Sequence, residues 1–262
     1  MRGRGLAVLT YHGFGERRSV LTTEPARFSD TLERLATHGF HPVDLVDWIE
    51  RGCPDEPNGY AVTFDDGLAS IGQVVDAIAA YHIPATIFVV AGRVARTSRW
   101  PGATSPIRVE RLLGWPELAD LVQLGCRIAA HGMTHRPLTT CNARELDVEL
   151  RGTRQVIEDR LGQPCSLLAY PYGISDVAVR KSAAAHYRAA FGTGLGYSGS
   201  WQDRFNLDRL EAYYLNSPVA LNRLVEDRWR SWLMRRRLLR AARSRLGHFG
   251  HPFLSARTSP AA

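Results

Sequence analysis

The sequence has no apolar run long enough to cross a membrane, no Cys-x-x-Cys pair and no internal repeat. A transmembrane helix needs about 20 apolar residues in succession, so no membrane-spanning segment is predicted. The four cysteines, Cys53, Cys126, Cys141 and Cys165, lack the spacing of a disulfide framework, and a reducing compartment is compatible with them. The basic start of the chain lacks the apolar stretch of about 7–15 residues that a secretory signal peptide carries. We therefore expect a cytoplasmic protein.

Positive charge is concentrated in one stretch rather than spread over the chain. The net charge is +7, yet residues 228–245 contain eight arginines and no acidic residue, so subtracting these eight leaves the rest of the chain at −1. Because no basic face is implied for the main fold, nucleic-acid binding is not expected. The arginine run has two interpretations: a peripheral contact with an anionic membrane or an acidic partner, or a solvated helix face.

Short apolar runs alternate with helical patterns along the 262 residues, of which 45% are apolar. Strands are predicted at Leu6–Tyr11, Tyr60–Phe64, Ala85–Val90, Arg127–Ala130, Leu167–Tyr170, Ala189–Gly192 and Arg209–Tyr213. Helices are predicted at Phe28–His38, Val43–Arg51, Leu68–Tyr81, Trp115–Leu124, Asn142–Leu161 and Asp176–Tyr187, with a long loop at 97–113. This alternation predicts an α/β domain over residues 1–217, with a mostly parallel sheet, open or closed into a barrel. Residues 218–262 are predicted to add a basic C-terminal helix and a frayed tail.

Several polar residues follow directly after predicted strands. His12 comes after the first strand, Asp65 and Asp66 after the second, His131 after the fourth, and Tyr172 just past the fifth. In parallel α/β folds the functional residues gather at the carboxyl ends of the strands. We therefore expect these five residues to share one rim of the fold.

The residue types suit a metal site. His131 and His135 are spaced i, i+4, which on a helical turn lets both bind one cation at about 2.0–2.1 Å. Of the two carboxylates in Asp65-Asp66-Gly67, one can bind the metal while its neighbour acts as a base, although the same tripeptide also suits a plain turn. Two histidines and a carboxylate serve catalytic zinc and non-haem iron alike. Beside a metal, the turn at Tyr172 can offer a backbone N–H to an oxyanion, and His12 can be a general acid or a structural histidine.

Three of these segments together resemble motifs of the polysaccharide deacetylase family, also called the NodB homology domain or carbohydrate esterase family 4. They are Thr63–Gly67, His131–His135 and Tyr170–Gly173, in the family's order and spacing, and the resemblance covers about residues 5–215. It implies an α/β fold, a distorted (β/α) barrel with incomplete units of the NodB type. It also implies metal-dependent removal of N-acetyl groups from an acetylated amino sugar. The sequence leaves the sugar open, from a polysaccharide or oligosaccharide to a small glycoconjugate.

The resemblance further implies roles for individual residues. Asp66, His131 and His135 correspond to the metal ligands, and the family usually binds zinc, with cobalt as a substitute. Asp65 corresponds to the general base, and the backbone N–H of Tyr172 corresponds to an oxyanion donor.

The family pattern is incomplete in this chain, and the general acid has two candidates. A subgroup similar to the poly-N-acetylglucosamine deacetylases has a histidine at the end of an early strand, as His12 is here, whereas the late Leu-x-His motif is matched by Leu246-Gly-His248. We favour His12. Ala169 stands where the third motif often begins with arginine, and the Asp-x-x-Asp-Trp motif has no counterpart. A non-catalytic glycan-binding relative is therefore the alternative function.

Overall fold

The computed structural model describes residues 5–16, 19–100 and 109–215, and beyond them residues 221, 222, 224 and 235. Its strands are β1 (Ala7–Tyr11), β2 (Gly13–Phe14), β3 (Thr22–Thr23), β4 (His41–Pro42), β5 (Gly59–Phe64), β6 (Thr86–Val89), β7 (Arg127–Ala130), β8 (Leu167–Ala169), β9 (Ala189–Leu195) and β10 (Leu207–Glu211). Its α-helices are α1 (Pro25–Thr37), α2 (Leu45–Glu50), α3 (Val75–Ala80), α4 (Trp115–Gln123), α5 (Ala143–Asp147), α6 (Thr153–Leu161) and α7 (Val177–Ala184). No helix in these ranges is both long and apolar enough to span a bilayer.

Seven parallel strands close into a barrel in the order β1-β10-β9-β8-β7-β6-β5, and β5 pairs back onto β1. This closing pair runs in register from Ala7 opposite Tyr60 to Tyr11 opposite Phe64. The short strand β4 pairs with the first two residues of β5, and β6 pairs with the last two. The predicted distorted (β/α) barrel is thus confirmed, with fewer than the eight strands of a complete (β/α) barrel.

Alternate residues of the strands divide into two apolar layers, as the period of a β-strand requires. Leu9, Val62, Ile87 and Ile128 pack with the helices in one buried cluster. Their strand neighbours fill the barrel interior, among them Val8, Ala61, Phe88, Ala129, Ala169 and Phe191, and α2 closes one end of that layer. The interior is therefore a packed core, and polar side chains can approach one another only near its open end.

Most predicted elements are confirmed, and the differences are local. The helix predicted from Leu68 begins as a 3-10 turn at Ala69–Val74 before α3. The helix predicted at 142–161 is interrupted by a π-helical turn, Val148–Gly152, between α5 and α6. The predicted basic helix and tail lie almost wholly outside the described residues, although residues 221, 222, 224 and 235 are helical.

Of the segment predicted as a long loop at 97–113, the described residues 97–100 and 109–113 form part of a two-armed ribbon. Ala95 N–H donates to Leu113 O at 2.9 Å, Leu112 N–H to Arg96 O at 2.8 Å, and Ser98 N–H to Glu110 O at 2.8 Å. We call residues 95–100 and 109–113 the rim ribbon. It is anchored to the barrel where Leu68 forms an antiparallel bridge with Leu112.

Candidate active site

Two adjacent carboxylates at the end of β5 point to different neighbours because the chain turns sharply between them. The Asp65 N–H still donates to Tyr11 O at 2.9 Å, so Asp65 extends the pairing of β5 with β1. Asp66 then has φ of 70° and Gly67 has φ of 69°, both in the left-handed region. A non-glycine residue with positive φ is uncommon and often marks a functional position. This turn sends the Asp65 carboxylate toward β10 and the Asp66 carboxylate toward two histidines.

Asp66, His131 and His135 form a buried group whose ligand atoms all lie within 4.8 Å of one another. Asp66 Oδ1 is 3.4 Å from His131 Nε2 and 3.1 Å from His135 Nε2, and it has no hydrogen-bond partner in the part of the chain that the structure describes. Burial opposes ionisation of Asp66, but the imidazoles of His135 and His131 hold the pKa of its carboxyl well below the usual value. A buried ionised oxygen facing two imidazole nitrogens fits a divalent cation, and the donor set is that of catalytic zinc sites.

His131 is fixed by a hydrogen bond to the backbone of the neighbouring strand. Its Nδ1 lies 2.8 Å from Ala169 O in β8, so Nδ1 carries the proton and the Nε2 lone pair faces Asp66. Burial lowers the pKa of His131, but the nearby Asp66 and Asp65 carboxylates outweigh it and raise the pKa overall. Ala169 stands where the third motif often has an arginine. Its backbone carbonyl group nevertheless contributes to the site, because it orients His131.

His135 is held between two aromatic rings. Its imidazole stacks on Trp100 at a centroid distance of 4.1 Å and an interplanar angle of 24°, and it meets Tyr172 edge-on at 4.7 Å. His135 itself has φ of 64°. Burial lowers the pKa of His135 and favours the neutral imidazole, which is the form that binds a metal.

Glu149 holds the segment between the two histidines. Its buried carboxylate accepts hydrogen bonds from Met133 N–H at 2.7 Å, from Thr134 N–H at 3.1 Å and from the Thr134 hydroxyl. Sequence reasoning missed this residue, although a signal existed. Glu149 falls at helical spacing among the buried positions Leu146, Leu150, Thr153 and Ile157, where a carboxylate requires a partner.

Asp65 forms a buried bidentate ion pair with Arg209 of β10. The Arg209 Nη1 and Nη2 atoms lie 2.7 and 2.8 Å from the two carboxylate oxygens, and the two side chains are 1% and 4% exposed. Arg209 Nε also donates to Gly192 O at 3.1 Å, and the guanidinium lies over the Phe88 ring. Burial opposes ionisation of Asp65, but the charge of Arg209 outweighs it and holds the pKa of Asp65 below its usual value. Arg209 thus supplies the guanidinium partner for Asp65 that the alanine at position 169 cannot supply. No short sequence motif predicted this role for Arg209.

His12 and Tyr172 complete the rim. His12 Nε2 lies 4.0 Å from Asp65 Oδ2, and its side chain is 15% exposed, so it stands at the mouth of the site. Tyr172 has φ of 59° and ψ of 6°, which places an unusual backbone conformation directly beside His135. All six residues predicted for the site are therefore together at one end of the barrel, and their roles stay predictions. The alternative acid, His248, lies outside the described residues.

Comparison with known proteins agrees with this arrangement. Residues 54–190 match the sequence model of the family described as Polysaccharide deacetylase. A chitooligosaccharide deacetylase of Rhizobium leguminosarum bv. trifolii is 32% identical over 117 residues, which are 44% of this chain and 46% of that protein. Chitin deacetylase 1 of Cryptococcus neoformans var. grubii is 31% identical over 134 residues, which are 50% of this chain and 24% of that protein. The chain therefore spans less than half of the length of either relative.

Solved structures of low sequence identity share the fold. The Streptococcus pyogenes deacetylase PplD, solved in complex with acetate, superposes with a TM-score of 0.73 at 18% identity, over 84% of this chain and 98% of that one. IcaB from Ammonifex degensii superposes with a TM-score of 0.70 at 19% identity, over 87% of this chain and 97% of that one. Since the family model covers more than half of the sequence and the barrel places its motifs on one rim, the chain belongs to the polysaccharide deacetylase family.

Proposed function

We propose that this protein removes N-acetyl groups from an acetylated amino sugar. The observation that carries the proposal is the buried group of Asp66, His131 and His135 beside the ionised, arginine-paired Asp65. A metal site, a base and a partly exposed histidine within one rim meet the needs of hydrolysis by an activated water. The names of the relatives, chitin deacetylase and chitooligosaccharide deacetylase, support the same reaction class.

Asp66, His131 and His135 would hold the divalent metal, zinc in the first instance and cobalt as a substitute. When bound, such an ion lowers the pKa of a water molecule toward neutrality and polarises the acetamide carbonyl. Asp65 would take the proton from the attacking water, and its pairing with Arg209 keeps the carboxylate ionised and aimed.

The remaining steps use two other groups of the rim. The backbone N–H of Tyr172 would donate to the oxyanion of the tetrahedral intermediate. His12, protonated, would pass its proton to the leaving amine as the C–N bond breaks. Water is consumed, and acetate and the free amino sugar are released. His12 Nε2 lies 4.0 Å from Asp65 Oδ2, so the proposed acid and the proposed base can both reach one acetamide group.

A cavity of about 940 Å³, lined by residues that follow the His12 and Asp66 positions in sequence, supports an oligosaccharide as substrate rather than a small glycoconjugate. It is lined by Phe14 and Ser70, close in sequence to His12 and Asp66, and by Gln73 and Glu110. Hydroxyl, amide and carboxylate groups are the hydrogen-bonding partners that sugar hydroxyls require. Its volume is at the upper end of ordinary ligand sites of about 300–1,000 Å³, so the cavity can hold sugar units beyond the reacting one.

The alternative, a non-catalytic glycan-binding relative, rests on the incomplete family motifs. The main argument for it is the arginine missing at position 169, and Arg209 weakens that argument. The arginine absent at position 169 would serve to orient the base. Here a guanidinium reaches the same carboxylate from β10.

The test is acetate release from N-acetylglucosamine oligomers of increasing length and from small N-acetylated glycosides, with added zinc or cobalt and again with a chelator. We expect chelator-sensitive release that increases with chain length. Asp65→Asn should keep the metal and lose most turnover, roughly a hundredfold or more, whereas the matched variant Asp76→Asn, at an exposed position of α3, should be unaffected. Metal-free, inactive protein would favour the glycan-binding alternative, and full activity of Asp65→Asn would refute the base assignment.

A further inference from the structure

The two histidines of the candidate metal site are held in different ways. His131 is oriented by the hydrogen bond from Nδ1 to Ala169 O. His135 Nδ1 is buried and has no hydrogen-bond partner among the described residues. A histidine that binds a metal through one nitrogen is usually oriented by a hydrogen bond from the other. The orientation of His135 must therefore come from another contact.

The only ring stacked face to face on His135 among the described residues is the indole of Trp100. The centroid distance of 4.1 Å and the angle of 24° describe a close parallel stack. On its other side His135 meets Tyr172 at an angle of 61°, so this second ring limits tilt but does not cover the imidazole face. Parallel stacking restricts rotation of the imidazole about its χ2 angle, which is the motion that a hydrogen bond at Nδ1 would otherwise stop.

The rim ribbon carries Trp100 into this position. Trp100 is 8% exposed and packs in a small apolar cluster with Leu68, Val90 and Leu112. Leu68 follows the Asp66 turn by two residues and bridges Leu112 in the opposite arm. The cluster therefore ties the ribbon to the same turn that presents Asp66, and the stack on His135 is part of a fixed arrangement.

We propose that Trp100 is a positioning residue for the metal ligand His135, whose imidazole it orients by stacking in place of a hydrogen bond. The inference rests on the proposed metal site, which it deepens by naming how the second histidine is held. It makes docking of the rim ribbon a condition for full metal affinity. It also assigns a role to a segment that lies outside the three family motifs.

The experiment measures metal affinity and coordination separately from activity. Zinc affinity is obtained by competition with a chromophoric chelator, and the visible absorption spectrum of the cobalt form reports coordination geometry. The variants are Trp100→Ala and Trp100→Phe. The matched controls are Trp115→Ala and Trp115→Phe, because Trp115 is a partly buried tryptophan at the start of α4, where it contacts Arg160 instead of a histidine. Thermal unfolding of each metal-free variant shows how much stability the substitution alone removes.

We expect Trp100→Ala to weaken zinc binding roughly tenfold to a hundredfold, the range found when groups that orient a metal ligand are removed. The cobalt spectrum of this variant should change as well. Trp100→Phe keeps an aromatic face and should stay within about threefold of the wild type. Both Trp115 variants should bind zinc normally even where they lower the melting temperature.

Wild-type affinity and an unchanged cobalt spectrum in Trp100→Ala would overturn the inference and leave the proposed function intact. Equal weakening in Trp100→Ala and Trp115→Ala would also overturn it, since the effect would then follow stability alone. Failure of the wild-type protein to bind zinc or cobalt would overturn both the metal site and the inference.

Discussion

Replacing Arg209 with methionine removes the partner of a buried carboxylate while nearly preserving side-chain volume. Two charge-assisted hydrogen bonds of 2.7 and 2.8 Å are lost, and Asp65 stays buried at 4% exposure. Breaking a buried ion pair by removing one partner costs about 3–5 kcal/mol. For a domain of this size each kcal/mol lowers the melting temperature by about 2–4 °C, so a decrease of about 6–20 °C is expected.

The same substitution should also slow catalysis, because Asp65 loses both its orientation and the charge that keeps it ionised. General-base catalysis contributes about a hundredfold to ten-thousandfold, and we expect kcat to fall by about ten- to a hundredfold with the metal retained. Unfolding in urea, bound metal and acetate release are measured on the same preparation. Arg127→Met is the matched control, since that arginine is 44% exposed where it pairs with Asp44, and surface pairs contribute only about 0–1 kcal/mol.

A second variant tests whether Asp65 requires only a neighbouring guanidinium or requires it at position 209. Ala169 and Arg209 both belong to strands that line the barrel interior. We therefore expect an arginine introduced at position 169 to approach Asp65 from β8. In the double variant Ala169→Arg/Arg209→Ala we expect part of the lost turnover to return relative to Arg209→Ala alone. If Arg209→Met unfolds within 1 kcal/mol of the wild type and keeps its kcat, the reasoning about Asp65 is refuted.

Three further predictions concern the rest of the site and the C-terminal segment. Glu149→Gln should lower the free energy of unfolding by about 1.5–3 kcal/mol through weakened hydrogen bonds to a charged acceptor and should weaken zinc binding. Glu145→Gln, at a partly exposed position of α5, should leave both nearly unchanged; equal effects of the two variants in urea unfolding and chelator competition would contradict the role of Glu149. His12→Gln should reduce kcat by about a hundredfold without loss of metal, and the exposed His38→Gln is the control. Unchanged acetate release in His12→Gln would show that another residue is the general acid. Ending the chain after Glu226 removes the eight clustered arginines; we expect binding to anionic vesicles in a flotation assay to be lost while turnover of soluble oligomers persists, and undiminished vesicle binding would exclude the arginine run as a membrane contact.

Much of the fold and most of the candidate site could be predicted from local sequence. Buried strands are short apolar runs, and the polar residues that follow them, Asp65, Asp66 and His131, mark the strand ends. Because the carboxyl ends of parallel strands meet on one rim, the sequence alone predicts that these positions converge. The order of the motifs predicted the family, which the comparisons confirm.

The partners that hold these residues belong to the tertiary structure. Arg209 and Asp65 are 144 positions apart, and no local pattern links them. Their contact exists because the barrel closes with β10 beside β1 and β1 beside β5. Trp100 lies in a segment that the sequence predicts to be a loop, and its stack on His135 depends on how the rim ribbon folds back onto the barrel.

The sequence by itself determined the candidate residues of the site and the strand ends at which they lie, because strand period and residue type are local properties. Only the tertiary structure decided how those residues are oriented. His12 comes level with Asp65 because Tyr11 pairs with Phe64 across the barrel closure. The charge and direction of Asp65 are set by an arginine from the last strand. Contacts of this kind depend on long-range strand register, since a shift of one residue would turn each of these side chains to the other face of the sheet.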